Sequence, residues 1–180
     1  CMDLTNIIRP ALGFNTSRIE VGDLLLVTQN NYISGLMNGD MVKIKKIGQK
    51  RERAGLTFVY VEVKELFTEK VYSQLMIENI VYGSATNLTQ IQQKELFIDF
   101  FIRMKQKGIK QKSEAFKKEM MDDSYLNALR AVYGYVLTCH KAQGGEWEDV
   151  YLDIPRRVSR EPKAGTYQWL YTAMTRARNT

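Results

Sequence analysis

Cysteine and histidine are nearly absent from this chain of 180 residues, which holds two cysteines, Cys1 and Cys139, and one histidine, His140. Too few thiols and imidazoles are present for a disulfide scaffold or a structural zinc site, so a reduced, cytoplasmic protein without bound metal is expected. No apolar run approaches the roughly 20 residues that a bilayer-spanning helix needs, which predicts no membrane partner. The opening Cys1-Met2-Asp3 is neither a signal peptide nor an initiator sequence, and the chain reads as a piece excised from a longer protein. Also missing are a Gly-x-x-x-x-Gly-Lys-Ser/Thr phosphate loop and a strand-borne acidic pair suited to magnesium. The chain alone therefore lacks half of a nucleoside-triphosphate site. No internal repeat is found.

What is present suits a globular fold with an α/β composition. Apolar residues make up 44% and charged residues 26%, and the net charge of +6 favours a polyanionic partner. Val21-Gly22-Asp23 opens a strand-like run to Thr28, Asn38-Gly39 marks a tight turn, and residues 41–45 and 57–63 alternate as strands do. Residues 48–55, with Lys50, Arg51 and Arg53, read as a charged loop between strands. Short strands with such turns predict a small SH3-like β-barrel over residues 21–83. A helical connector is expected over 84–131. Leu88 and Thr89 with Gln92 form a capping box, and Leu96, Phe97, Phe100, Phe101 and Met104 make one apolar face, read as core and not as a base-stacking platform. Ser113 caps a second helix, Asp122-Asp123-Ser124 breaks it, and a short helix is expected over 125–131.

The C-terminal third carries the chemistry. An apolar run over 132–139 reads as a buried strand leading into the polar loop 141–146, at the edge where open α/β sheets place ligands. Strand alternation places Thr138 and His140 on one side, with Lys141 beside them, and Cys139 on the other. That same alternation argues against a Cys139–His140 hydrolase dyad. Gly144-Gly145 allows close backbone approach, and Glu146 follows within reach of a hydroxyl-bearing ligand. Residues 150–154 read as a further strand ended by Pro155, followed by a basic loop with Arg156, Arg157 and Arg160. From Thr166 the spacing predicts a helix with Trp169, Thr172, Ala173 and Arg176 on one face and Arg178 pointing elsewhere.

The stretch Tyr135-Val136-Leu137-Thr138-Cys139-His140-Lys141-Ala142-Gln143-Gly144-Gly145-Glu146-Trp147, with Tyr171-Thr172-Ala173-Met174-Thr175-Arg176-Ala177-Arg178 after it, resembles motifs V and VI of superfamily 1 helicases of the RecD-like and UvrD-like C-terminal type. The Gly-Asp and Asn-Gly-Asp pattern of the N-terminal part is similar to the SH3-like insertion of RecD-like members. The resemblance implies an α/β fold with a β-barrel insertion: part of a second RecA-like motor domain over 1–20 and 132–180, the barrel over 21–83, and the connector between. It implies a C-terminal fragment of an ATP-dependent DNA helicase, inactive alone, whose cofactor is ATP with Mg2+. Its partners would be single-stranded DNA, the N-terminal RecA-like domain of the same protein, and repair or recombination factors. Arg176 would be the catalytic arginine reaching the γ-phosphate. Gln143, Gly144, Gly145, Glu146 and Arg176 would hold nucleotide, and Thr138, His140 and Lys141 would contact nucleic acid, with 50–53 as a lesser contributor. The competing readings are a non-motor nucleic-acid or protein binding module built on the barrel, and a helicase relative that has lost its ATPase and serves as a scaffold.

Overall fold

A computed structural model describes residues 2–15, 17–83, 85–142, 145–154 and 164–178. The chain forms two compact units, residues 2–135 and residues 136–180.

In the first unit, helix α1 (Met2–Ala11) precedes strands β1 (Leu24–Val27), β2 (Met41–Arg53), β3 (Leu56–Glu65) and β4 (Val71–Ile77). Helices α2 (Glu78–Tyr82), α3 (Gln90–Gln106) and α4 (Glu114–Asp122) follow, and strand β5 (Ala131–Tyr133) ends the unit. All five strands join one antiparallel sheet in the order β4-β3-β2-β1-β5. Val59, Val61 and Val63 of β3 send their side chains to one face, where Leu25, Val42, Ile44 and Met76 complete a core. Leu56 and Phe58 go to the other face and pack with Ile77, Leu96 and Ala128. A third cluster, Phe100, Met104 and Phe116, joins α3 to α4.

The expected SH3-like barrel is not closed. β4 and β5 remain the two ends of the sheet, and only Leu129 links them, through one parallel bridge to Met76 of β4 just before residues 131–133 pair with β1. One bridge does not make a ladder, so the sheet stays open. The expected charged loop 48–55 is also corrected, because β2 runs through to Arg53 and the reversal falls on Ala54-Gly55. Both have positive φ, 50° and 68°, the conformation of a type I′ hairpin turn, which matches the twist of the flanking strands. Charged side chains are tolerated there because Lys50 and Arg53 find Glu78 and Asp99 at 2.7 and 3.0 Å.

Helix signals proved local and reliable. Thr89 and Gln92 form the reciprocal capping box at α3, and Ser113 Oγ accepts the Phe116 amide at α4. Asp123 then ends α4 and turns the chain: its carboxylate accepts the amides of Tyr125 and Leu126 and is gripped by Arg103. This explains why residues 124–127 form a turn, followed by the Leu129 bridge and β5, in place of the short helix expected over 125–131. In the apolar face of α3, Leu96, Phe100 and Met104 are buried, whereas Phe97 lies at its margin, 39% exposed.

Arg9 and Asp23 form a buried bidentate ion pair, with Nε to Oδ1 at 2.9 Å and Nη2 to Oδ2 at 2.8 Å, the side chains 1% and 0% exposed. Tyr135 donates its hydroxyl to Asp23 at 2.8 Å, the Glu20 amide donates at 2.7 Å, and the guanidinium lies 4.2 Å from the centre of the Tyr133 ring. Burial, with Asp23 adding to it, pushes the Tyr135 hydroxyl up to about 12.

The second unit contains α5 (Ala164–Met174). The buried strand expected over 132–139 shrinks to β5, and residues 139–142 are turns; residues 150–154 form no strand. Among the described residues of 136–180, the parallel bridge Trp147–Ala177 is the only strand-like pairing, so the strands expected over 132–139 and 150–154 do not form a sheet there.

Two outcomes follow from these packings. Asp23→Asn leaves the Arg9 guanidinium buried without its counter-charge and should lower urea-measured stability by about 3–5 kcal/mol, while the double variant Arg9→Met/Asp23→Leu should lose much less; equal losses would refute the coupling. Acid sensitivity provides the second. Burial opposes ionisation of Asp123, but Arg103 and the Leu126 and Tyr125 amides outweigh it and hold the carboxyl below the usual aspartate range. A depressed folded pKa contributes stability above the unfolded value of about 3.9 and loses it as pH falls further. Thermal melts between pH 7 and pH 3 should show a shallower acid loss in Asp123→Asn, and parallel curves would exclude the assignment.

Candidate functional site

The loop after Tyr135 is organised by Thr138. Its carbonyl accepts the amides of Lys141 and Ala142 at 2.9 and 3.0 Å, which turns the chain and leaves Thr138 and His140 exposed, with Lys141 half-buried. The three residues expected to meet nucleic acid therefore sit on one short turn and not along a strand. Cys139 lies half-buried, its thiol directed at the Trp169 carbonyl at 3.6 Å. No hydrogen bond joins it to His140, and the hydrolase reading gains no support. Gln143 and Gly144 lie outside the described residues, as do Arg156, Arg157 and Arg160.

The two motif segments meet beyond that turn. Trp147 donates its amide to the Arg176 carbonyl at 2.9 Å and accepts the Arg178 amide at 2.8 Å, a two-bond clasp flanking the Trp147–Ala177 bridge. Gly145 is required beside it, since a methyl group there would lie 2.4 Å from the Trp147 ring. Arg176 falls two residues past the end of α5, in a turn. Its Nε donates to the Thr172 carbonyl at 3.2 Å, Nη1 to the Gly145 carbonyl at 3.3 Å and Nη2 to the Thr175 hydroxyl at 3.2 Å. These acceptors are neutral, so the guanidinium is oriented without being neutralised.

Arg178 points elsewhere, as its spacing predicts, and pairs with Glu146 at 3.3 Å, both side chains more than half exposed. Such a surface pair contributes about 0–1 kcal/mol and is readily exchanged. The arrangement thus collects two guanidinium groups and a carboxylate around the Gly145–Trp147 backbone. That donor set suits an anionic ligand bearing hydroxyl groups. No cluster of acidic, histidine or cysteine side chains able to hold a cation occurs among the described residues, so ligands for a magnesium ion are not found among them. Among the described residues, no helix is long and apolar enough to cross a membrane.

The residues 50–53 expected to assist with nucleic acid are used internally. Lys50 and Arg53 are held by Glu78 and Asp99, and Arg51 beside the Tyr125 hydroxyl lowers its pKa. Sequence reading missed the clasp, because backbone pairing between Trp147 and residues 176–178 leaves no side-chain signature. It also missed that Gly145 is needed to seat an indole.

Gly145→Ala should push the Trp147 ring aside and destabilise the second unit by about 1–3 kcal/mol. In a Trp169→Phe background, the emission of Trp147 should shift and its quenching by acrylamide should rise. Unchanged emission and quenching would show that the ring is seated by other contacts.

Comparison with known proteins accords with this geometry. Residues 133–180 match the model of the UvrD-like helicase C-terminal domain. A similar protein, an uncharacterized one of Acanthamoeba polyphaga mimivirus, is 31% identical over 84 residues, covering 39% of this chain and 17% of that protein. The chain thus matches a small part of that relative's length. The clasped motif segments thus lie within residues 133–180, the stretch similar to the UvrD-like helicase C-terminal domain.

Proposed function

We propose that this chain is part of an ATP-dependent DNA helicase of RecD-like type, contributing the second motor domain's half of the nucleotide site and a contact to single-stranded DNA. The observation that carries the reading is the clasp: Arg176 is held at the same backbone, Gly145–Trp147, that follows the glycine-rich loop, so both candidate nucleotide-binding segments form one surface. The family matched over residues 133–180 supports a helicase-type role.

Each residue then has a part. Gln143, Gly144, Gly145 and Glu146 are assigned to the nucleotide, with Glu146 released from Arg178 to accept a ribose hydroxyl. Arg176 gives its fork to the terminal phosphate, exchanging neutral carbonyl acceptors for an anion, which strengthens each hydrogen bond. ATP with Mg2+ supplies the phosphoryl transfer when bound, and the phosphate loop and metal ligands would come from the partner RecA-like domain. Thr138, His140 and Lys141 present hydroxyl, imidazole and ammonium donors from one turn toward a nucleic-acid backbone. The RecA-like assignment, with its 1–20 and 132–180 division, and any link to repair or recombination belong to the same proposal.

Two sets of measurements test it. The 180-residue chain should show no ATP turnover. In a longer protein that includes the phosphate loop, Arg176→Ala should lower DNA-stimulated turnover by on the order of 10³ or more. Arg176→Lys should not rescue it, because an ammonium lacks the planar fork. Arg178→Ala, which breaks only an exposed pair, should cost far less, with thermal melts alongside to separate folding from turnover. Near-normal turnover in Arg176→Ala would refute the role.

A further inference from the structure

Arg130 is a cation without a counter-ion among the described residues. It follows Leu129 and precedes Ala131, both fully buried, so alternation turns its side chain to the opposite face. There Nη1 donates to Gln29 Oε1 and to Asn87 Oδ1, each at 2.8 Å, while Asn87 Nδ2 donates to Gln29 Oε1 at 3.2 Å. The Thr28 amide and hydroxyl bond the Arg130 carbonyl at 2.9 and 3.2 Å and fix the backbone beneath it. Two amide oxygens aim the guanidinium, yet neither carries charge. No acidic side chain among the described residues pairs with it, in contrast to Arg9, Arg53 and Arg103. Burial accordingly lowers its pKa with nothing to offset the effect.

Holding Nη1 leaves Nε and Nη2, the side-on edge of the fork, without a partner among the described residues, and that edge matches two oxygens of a phosphate. A polar cavity of about 20 Å³ opens beside Arg130, walled by Asn30, Asn31 and Tyr32. It admits an oxygen atom, not a whole ligand, so the rest of the ligand must lie outside, where the Tyr32 ring stands 69% exposed. A guanidinium fork next to an exposed aromatic ring suits a phosphodiester with an unstacked base. The chain's net charge of +6 favours the same polyanion.

We infer that Arg130, held by Gln29 and Asn87, binds a backbone phosphate of single-stranded nucleic acid, with Tyr32 as the platform for an adjoining base. This rests on the proposed nucleic-acid role but places a contact in the first unit, on residues outside the helicase motifs.

The test is anisotropy of a labelled oligo(dT) with the 180-residue chain across a potassium chloride series. Arg130→Gln should weaken binding about tenfold and reduce the slope of log K against log salt by about 0.7, one phosphate's share. Arg130→Lys should keep the slope yet lose part of the affinity. Tyr32→Ala should weaken binding about fivefold or more with the slope unchanged. Urea titrations control for folding, and Tyr32, being exposed, keeps the test decisive even if Arg130→Gln unfolds. Wild-type chain that does not bind, or unchanged affinity in both Arg130→Gln and Tyr32→Ala, overturns the inference. If binding falls in Lys141→Ala but not in those two, the proposed function stands and this site does not. Loss in Arg130→Gln and Tyr32→Ala, with turnover of the longer protein indifferent to Arg176→Ala, supports this site and rejects the motor assignment.

Discussion

The ion pair between Arg9 and Asp23 constrains the whole first unit, because it is inaccessible to water and joins segments that no regular pairing connects. A guanidinium and a carboxylate both lose hydration on burial, and only near-complete hydrogen bonding compensates. The protein supplies that completeness from several directions: the Arg18 carbonyl accepts from the guanidinium, and the Glu20 amide and Tyr135 hydroxyl donate to the carboxylate. Helix α1, the turn before β1 and the end of β5 must therefore all be in place together. A slip of any one would strand a charge.

Much of the local structure was legible in the sequence, and the part that was not has a common cause. Thr89 with Gln92, Ser113 and Asp123 act within three residues of themselves, so their pattern determines their geometry. The alternation of β3 is similarly self-contained. The stretch 48–55 looked like a charged loop because the partners of Lys50 and Arg53, Glu78 and Asp99, lie far along the chain. The run 132–139 looked like a long buried strand, but strand length depends on the partner, and β1 offers only four residues. Arg9 gave no signal at all, since its role depends on an aspartate in a turn and on tyrosines near the far end of the unit.

At the candidate site the motifs were legible as letters and their mutual placement was not. Thr138, His140 and Lys141 lie on one turn, where strand alternation had been expected to align them. Arg176 and Arg178 diverge as expected, though both lie beyond the helix that was to set their directions. The turn and the clasp rely on backbone bonds that the side chains are free to decorate, so neither could be read from residue identity.

The segment that bridges β4 at Leu129 and pairs with β1 over residues 131–133 has a consequence for how the first unit is made. Leu24 of β1 meets Tyr135 across 111 residues of sequence, a separation that gives the sheet a high contact order. During synthesis the hairpins β2–β3 and β3–β4 can form as soon as they emerge, but β1 keeps an unpaired edge until the final residues of the unit arrive. Until then Leu25 and Leu26 stand beside open backbone donors, a template for pairing with the wrong chain. The late segment therefore works as a fastener, and fidelity of assembly rests on how quickly it reaches its edge.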